Sequence, residues 1–167
     1  MRKKKGIGIF GLTADPFHNG HLQIISELAE KPYINRLDVV PTWKPPYKEC
    51  SDYETRCLFV AHGVSSQYLL NVVVRYFKVQ YTHQLIGAYK RETDLPLYLF
   101  VGSDWDMSTW KNFDYIKNNC NIIQYDRTTC LPISSTMIRN KVKNGEPING
   151  YVNSTTLQII KDEKLYV

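Results

Sequence analysis

The 167-residue sequence lacks any run of about 18 apolar residues, so we expect no membrane-spanning helix. The apolar stretch after the basic first residues is too short, and too interrupted by glycine, for a signal peptide. The four cysteines form no CxxC pair and have no histidine at zinc-finger spacing. We therefore expect reduced thiols and a cytoplasmic protein that does not act at a membrane.

Two common catalytic signatures are also missing. No G-x-x-x-x-G-K-[ST] segment occurs, which excludes a Walker phosphate loop, and no H-E-x-x-H zinc motif is present. The segment GIGIFG at residues 6–11 matches G-x-G-x-x-G, but no strand precedes it and the next helix begins only near Asn19. A dinucleotide site of the Rossmann type is therefore disfavoured. The net charge of +5 favours an anionic partner without identifying it.

Short apolar runs alternate along the chain with segments of helical periodicity. This alternation predicts an α/β fold, a Rossmann-like, doubly wound parallel sheet with helices on both faces. The length predicts one domain over residues 1–167, with 136–167 as a C-terminal helical part. The predicted strands are 6–12, 36–40, 69–75, 97–101 and 121–125. The predicted helices are 19–31, 52–64, 82–91, 113–118, 135–143 and 155–162.

Ligands of such sheets bind beyond the carboxyl ends of the strands. By this prediction, four loops occupy that edge, namely residues 11–21, 41–51, 101–110 and 126–136. The strongest chemical signal among them is HNGH, in which His18 and His21 flank Gly20 at the start of a helix. Two imidazoles beside the unpaired N–H groups of a helix N-terminus form a compact anion site.

Three further segments at this edge suit a nucleotide. In ISSTMIR, Ser134, Ser135 and Thr136 precede a helix and Arg139 follows one turn later, an arrangement that suits a polyphosphate. The basic loop PTWKPPYK carries Lys48, and Asp104 follows a strand close to Trp110. Aromatic rings next to a strand end can stack on a base or a pyridine ring.

These motifs resemble those of the nucleotidyltransferase superfamily that is marked by H-x-G-H and ISST-x-x-R. Within it, the chain resembles the bacterial nicotinate mononucleotide adenylyltransferase family. The supporting segments are GLTADPFHNGH, PTWKPPYK, VQYTHQL, LYLFVGSDWDMSTWKNFDYI and the C-terminal ISSTMIRNKVKNGEPINGYVNSTTLQIIKDEKLY. The resemblance implies transfer of AMP from ATP to nicotinate mononucleotide in NAD biosynthesis. Mg²⁺ is expected on the ATP phosphates, with no side-chain metal ligands.

The resemblance also implies roles for individual residues. The catalytic residues would be His18, His21 and Arg139. The ATP site would comprise Phe10, Gly11, Thr13, His18, Gly20, His21, Gly102, Asp104, Ser134, Ser135, Thr136 and Arg139. The pyridine mononucleotide would be bound by Gly11, Asp15, Lys48, Thr82, His83, Trp110 and Lys111.

The sequence departs from the family pattern at four places. Leu12 stands where a second glycine is usual, Ala14 replaces phenylalanine, Tyr47 replaces a histidine, and the segment 125–133 is short. The same reaction on nicotinamide mononucleotide, phosphopantetheine adenylyl transfer, and an inactive nucleotide-binding regulator stay open as alternatives. The expected partners are ATP and a pyridine mononucleotide rather than nucleic acid, because no RNP-like aromatic pattern occurs. The oligomeric state is open, a homodimer included.

Overall fold

Five parallel strands form the centre of the computed structural model, which describes residues 4–46, 48–126 and 130–167. The strands are β1 (Gly6–Leu12), β2 (Ile34–Pro41), β3 (Val72–Val74), β4 (Leu97–Gly102) and β5 (Asn121–Tyr125). They are arranged in the order β3-β2-β1-β4-β5, and each neighbouring pair is parallel. The predicted α/β fold with a doubly wound parallel sheet is confirmed.

The helices cover both faces of the sheet. They are α1 (Asn19–Ala29), α2 (Tyr53–Ser65), α3 (Thr82–Glu92), α4 (Phe113–Asn119), α5 (Ser135–Lys143) and α6 (Ser154–Asp162). Buried residues of α1, α2, α5 and α6 belong to one hydrophobic cluster, and those of α3 and α4 to a second. The C-terminal helices therefore pack into the same core as the first strand.

Strand β1 separates the two clusters. Its side chains Ile7 and Ile9 belong to the cluster with α3 and α4, whereas Phe10 and Leu12 belong to the other. Successive side chains of a strand point to opposite faces, so a central strand with helices on both sides is apolar throughout. This explains why the GIGIFGL run is almost entirely buried.

The glycines of the GIGIFG segment serve sheet packing. A Cβ atom at Gly6 would lie 2.0 Å from the Pro96 carbonyl oxygen, and one at Gly8 would lie 2.9 Å from side-chain atoms of Leu37 and Phe100. Both glycines stand within β1 rather than after it. The rejection of a Rossmann fingerprint therefore agrees with the geometry.

Two predicted elements, the third strand and the first helix, were longer than the observed ones. The third strand was predicted over 69–75 but spans Val72–Val74, because the preceding segment turns, with the Val72 N–H donating to the Leu69 carbonyl. The first helix ends at Ala29, since the Lys31 N–H bonds back to Leu28 in a turn. These differences move no residue of the predicted ligand edge.

Some sequence features fall outside the described residues. They are the Tyr47 departure and residues 127–129 of the short 125–133 segment. Within the described ranges, none of the helices has the length and apolar character needed to cross a membrane.

Candidate active site

The two histidines of the H-x-G-H segment together cap the first helix. His18 is the N-cap of α1, and its Nδ1 accepts from the His21 N–H at 3.3 Å. In return, His21 Nδ1 accepts from the His18 N–H at 3.2 Å, and the two rings stack with centroids 3.7 Å apart. This reciprocal capping box holds both imidazoles at the positive end of the helix.

Gly20 brings this helix end against the second predicted motif. A Cβ atom there would lie 3.0 Å from His18 Nδ1 and 3.6 Å from the Ile133 carbonyl oxygen. A larger residue would crowd the His18 ring and separate the two segments. The glycine of the motif therefore has a packing reason in addition to the ligand access predicted from the sequence.

The capping geometry also fixes the chemistry of the imidazoles. A neutral ring whose Nδ1 accepts a hydrogen bond carries its proton on Nε2. His18 is 5 % exposed, and burial lowers its pKa from the usual 6.5 to about 4. At neutral pH, His18 is therefore an uncharged Nε2–H donor, which can bind a phosphate oxygen without carrying a full charge.

The depressed pKa of His18 predicts a pH-dependent stability. Below pH 6.5 the unfolded chain binds a proton at this residue that the folded chain does not bind until about pH 4. Stability from this group is thus complete above pH 6.5 and decreases as the pH falls toward 4. At about 1.4 kcal/mol per pKa unit, the loss amounts to about 3 kcal/mol at most.

His18→Asn provides the measurement, because asparagine retains a side-chain acceptor at the N-cap and does not titrate. Urea unfolding between pH 7 and 4 should show the wild-type free energy of unfolding falling more steeply than that of the variant. The matched control is His62→Asn, which changes an exposed histidine in the last turn of α2. Parallel curves for wild type and His18→Asn would contradict the assignment.

The second motif docks directly beside the histidine pair. Ser134 caps α5 by accepting from the Met137 N–H at 3.1 Å, and the Ser135 hydroxyl donates to the Pro16 carbonyl at 2.9 Å. Arg139 donates to the Asp15 carbonyl at 2.7 Å and to the Thr136 hydroxyl at 3.1 Å. The N-terminus of α5 therefore lies against the loop that leads into His18, and cationic and hydroxyl groups share one surface.

Asp15 occupies the centre of this junction. Its side chain is 4 % exposed, and the two carboxylate oxygens accept from the Tyr166 hydroxyl at 2.5 Å and the Ser51 N–H at 3.2 Å. Burial is the main cause that raises the pKa of Tyr166, and the hydrogen bond with Asp15 raises it further. The Tyr166 hydroxyl therefore stays protonated. Both Asp15 oxygens are thus engaged by protein donors.

Sequence reasoning missed Arg56, which is 1 % exposed behind the site. Its guanidinium donates to the main-chain carbonyls of Ser51, Thr13, Thr42 and Trp43 at 2.7–3.0 Å. It therefore joins the loops after β1 and β2. The available signal was its spacing, because Arg56 shares the buried helix stripe of α2 with residues three, four and seven positions later.

Aromatic residues cover the other part of the ligand edge. Trp105 and Trp110 contact edge to face with centroids 6.3 Å apart, and Lys48 Nζ lies 5.8 Å from the Trp105 ring. Trp110 is half-buried against the second hydrophobic cluster. The loops after β2 and β4 are thereby brought together, with indole surface between them.

The start of α3 meets the loop after β4 at a cationic group. Lys111 Nζ lies 4.6 Å from the centroid of the Tyr81 ring, which stacks on His83 at 5.8 Å. His83 Nδ1 is buried and has no hydrogen-bond partner in the part of the chain that the structure describes. Thr82 is the first residue of α3, so the main-chain N–H groups at the start of this helix lie on the same side of the site as the Lys111 ammonium group.

The predicted ligand-binding residues at the end of β1 differ in which of their groups are accessible to a ligand. Gly11 is exposed, and among the residues that the structure describes a Cβ atom there would meet only the Val40 carbonyl at 4.0 Å, so the strand end is open. The Thr13 carbonyl is engaged by Arg56. The Phe10 ring is 3 % exposed and packs in the core with Tyr125, so any contact of Phe10 with ATP would have to come from its main chain.

Gly102 is the last residue of β4, and Asp104 lies in the turn that follows it. The Trp105 N–H donates to the Gly102 carbonyl at 3.1 Å, and the Ser103 N–H to Tyr125 at 2.9 Å. Asp104 is exposed in this turn. This turn follows β4, which is the neighbour of β1 in the sheet, and the ribose contact of Asp104 stays a prediction.

The donor set of the site suits phosphate rather than a bare cation. Imidazole, hydroxyl and guanidinium groups match anionic oxygens. In residues 4–46, 48–126 and 130–167, no group of three or more His, Cys, Asp or Glu side chains could hold a metal ion. A divalent cation would therefore fit this site as a companion of substrate phosphates.

Comparison with known proteins decides the family. A family model described as cytidylyltransferase-like matches residues 9–141, which include both motifs. The chain belongs to the cytidylyltransferase-like family. The nucleotidyltransferase resemblance predicted from the sequence is thereby confirmed.

Curated relatives of this cytidylyltransferase-like chain align over its whole length. A probable nicotinate-nucleotide adenylyltransferase of Clostridium tetani (strain Massachusetts / E88) is 27 % identical over 202 residues, covering 99 % of this chain and all of the relative. A protein of the same description from Bacillus licheniformis is 26 % identical over 190 residues, covering 99 % of both chains. Both alignments are longer than 167 residues, so the relatives contain segments that this chain lacks.

Solved structures establish the fold of the cytidylyltransferase-like chain. A putative nicotinate-nucleotide adenylyltransferase from Vibrio parahaemolyticus superposes with a TM-score of 0.81 at 21 % identity, covering 97 % of this chain and 95 % of the other. The Plasmodium falciparum nicotinic acid mononucleotide adenylyltransferase complexed with NaAD gives 0.80 at 17 % identity, covering 97 % of each chain.

Proposed function

We propose that this chain is a nucleotidyltransferase that transfers AMP from ATP to nicotinate mononucleotide, forming nicotinate adenine dinucleotide and pyrophosphate in NAD biosynthesis. The observation that carries the proposal is the junction of the stacked His18 and His21 pair with the N-terminus of α5. The shared description of the full-length relatives supports the same reaction. The cysteine pattern supports a cytoplasmic setting.

The reaction is an in-line displacement at the α-phosphorus of ATP. A phosphate oxygen of the mononucleotide forms the new P–O bond, and the bond to the β-phosphate breaks as pyrophosphate leaves. Because the attacking phosphate is already anionic at neutral pH, the site needs no general base. Positioning and stabilisation of moving charge therefore provide the catalysis.

We assign these tasks to the residues of the α1–α5 junction. The Nε2–H groups of His18 and His21 bind the α-phosphoryl oxygens, and Arg139 binds the leaving pyrophosphate. Ser134, Ser135 and Thr136 bind the β- and γ-phosphates with the N–H groups of α5. When bound with ATP, Mg²⁺ would supply further neutralisation of the triphosphate, which these hydroxyl groups and Arg139 would hold from the protein side.

The remaining edge residues would hold the nucleosides. Gly11 leaves room for close approach to the main chain of β1, and Asp104 contacts a ribose. The Trp110 ring stacks on the pyridine, while Lys48 extends toward the mononucleotide beside Trp105. The N–H groups near Thr82, together with Lys111, meet the pyridine carboxylate.

The assay is pyrophosphate release from ATP and Mg²⁺ with each mononucleotide supplied in parallel. We expect turnover with nicotinate mononucleotide and a lower kcat/KM with the nicotinamide form. Higher kcat/KM with nicotinamide mononucleotide would identify the alternative substrate. Absence of turnover with both would refute the proposed function.

The position of Lys111 predicts how the site distinguishes nicotinate mononucleotide from the nicotinamide form. A carboxylate gains from the ammonium group near Tyr81, whereas a neutral carboxamide does not. Lys111→Met should therefore raise KM for nicotinate mononucleotide by roughly tenfold, as expected for one charge-assisted contact, and leave the nicotinamide form almost unchanged. The matched control is Lys117→Met, which removes a lysine that lies over Phe113 and pairs with Asp114. An equal change for both substrates would contradict charge selection.

A further inference from the structure

The segment after α6 places a tyrosine hydroxyl on the loop that carries the site. Helix α6 ends at Asp162, and the Tyr166 hydroxyl donates to Asp15 Oδ1 at 2.5 Å, across 151 residues of sequence. Leu165 and Tyr166 pack against the main hydrophobic cluster. The tail is thus held by apolar contacts, and its tyrosine hydroxyl donates to a buried carboxylate.

The backbone of this tail contains two residues with positive φ, which have different causes. Lys164, with φ 50°, closes α6 in a left-handed C-terminal cap, in which the Leu165 N–H donates to the Ile160 carbonyl and the Lys164 N–H to the Lys161 carbonyl. Tyr166 has φ 66°, and residues other than glycine and asparagine rarely adopt this left-handed region, so such an outlier persists where surrounding contacts hold it. The placement achieved here is that of the Tyr166 hydroxyl.

Asp15 links the Tyr166 hydroxyl to two other parts of the site. Its second oxygen accepts from the Ser51 N–H at 3.2 Å, and the Ser51 hydroxyl donates to the Tyr166 oxygen at 3.4 Å. The Asp15 carbonyl accepts from Arg139 at 2.7 Å. Tail, basic loop and phosphate-binding arginine therefore converge on one residue of the loop after β1.

We propose that Tyr166 is a positioning residue of the reaction, which orients Asp15 so that Asp15 holds Arg139 and the Ser51 end of the basic loop in place. Asp15 then acts on the protein rather than on the mononucleotide, because both of its buried oxygens already accept from protein donors. This inference rests on the proposed function, in which Arg139 binds the leaving pyrophosphate.

Tyr166→Phe removes only the hydroxyl and keeps the partly buried ring packed against the core. We expect kcat to fall by roughly tenfold with KM for both substrates within about twofold, since a small displacement of a group that acts on the leaving phosphate costs rate rather than affinity. Tyr68→Phe is the matched control, because Tyr68 is fully exposed. Unchanged kcat in Tyr166→Phe would overturn the proposal.

A double-mutant cycle with Asp15→Asn separates positioning from direct binding. If Tyr166 acts through Asp15, the double variant should lose no more kcat than Asp15→Asn alone. A rise in KM for the mononucleotide in Asp15→Asn, with losses that multiply in the double variant, would overturn the proposal in favour of direct ligand contact.

Amide hydrogen exchange provides a readout that needs no turnover. In Tyr166→Phe, exchange at Ser51 should accelerate severalfold, while the amides of β4 exchange as in wild type and report an intact fold. If the wild-type protein shows no transferase activity, the proposed function fails, and exchange alone then decides on the positioning contact. Unchanged exchange at Ser51 would overturn it.

Discussion

Replacement of His21 by alanine is expected to lower kcat by about a hundredfold to a thousandfold, as for the loss of one preorganised donor to a transition-state oxygen. KM for ATP should change far less, because the developing charge on the α-phosphoryl group exists only in the transition state. His21 stacks on His18 at the N-terminus of α1, where a donor and the helix dipole act together. Steady-state kinetics with varied ATP give both constants.

His21→Ala also removes the acceptor for the His18 N–H, which would cost about 1 kcal/mol of helix stability. His21→Asn separates the two effects, since its amide oxygen can accept that hydrogen bond while the imidazole is gone. We expect this variant to melt close to wild type and to remain slow. His62→Ala, at an exposed position, controls for loss of a histidine in general. Unchanged kcat with a raised KM would show uniform ATP binding instead.

Replacement of Arg56 by methionine is expected to lower the free energy of unfolding by about 4 kcal/mol, because the main-chain carbonyls around this buried guanidinium lose their donors. Four main-chain carbonyls accept from this guanidinium, and methionine supplies comparable apolar length but no N–H group. For a chain of this size, the melting temperature should fall by about 10 °C. Thermal and denaturant unfolding measure the change directly.

Two variants make the Arg56 result specific. Arg91→Met changes an exposed arginine in the last turn of α3 and should stay within about 0.5 kcal/mol of wild type. Arg56→Lys retains the charge with fewer, differently arranged donors, so its stability should lie between wild type and Arg56→Met. A loss below about 1 kcal/mol in Arg56→Met would mean that water replaces the guanidinium and that the loops do not depend on it.

Local patterns predicted much of the fold and the candidate phosphate site. Strand β1 and helix α5 have the predicted bounds, because alternation and N-cap preference are expressed within a few neighbouring residues. The ligand edge followed from the parallel order of the strands. His18 was predicted at the start of one helix and Arg139 one turn into another, and the loop after β1 brings the two helix ends to one junction.

Patterns in the sequence were less informative about side-chain environment. The resemblance places Phe10 at ATP without saying whether its ring or its main chain makes the contact. The ring lies in the core, because a strand that separates two packed faces buries nearly all its side chains, so the ATP contact predicted for Phe10 is restricted to its main chain. Arg56 was treated as part of an ordinary helix, although it stands on the buried stripe. An arginine can occupy such a position only if acceptors from distant loops surround it, and its own neighbours do not encode them.

By itself, the sequence therefore determined the succession of strands and helices along the chain, the α/β class and the residue types at the ligand edge. Only the tertiary structure decided that Asp15 is covered by Tyr166, that Arg56 joins the loops after β1 and β2, and that Lys111 meets Tyr81. The Asp15 and Arg56 contacts span 151 and 43 residues of sequence. Propensity and periodicity act over one or two turns of chain, whereas these contacts exist only after the sheet has brought its loops together.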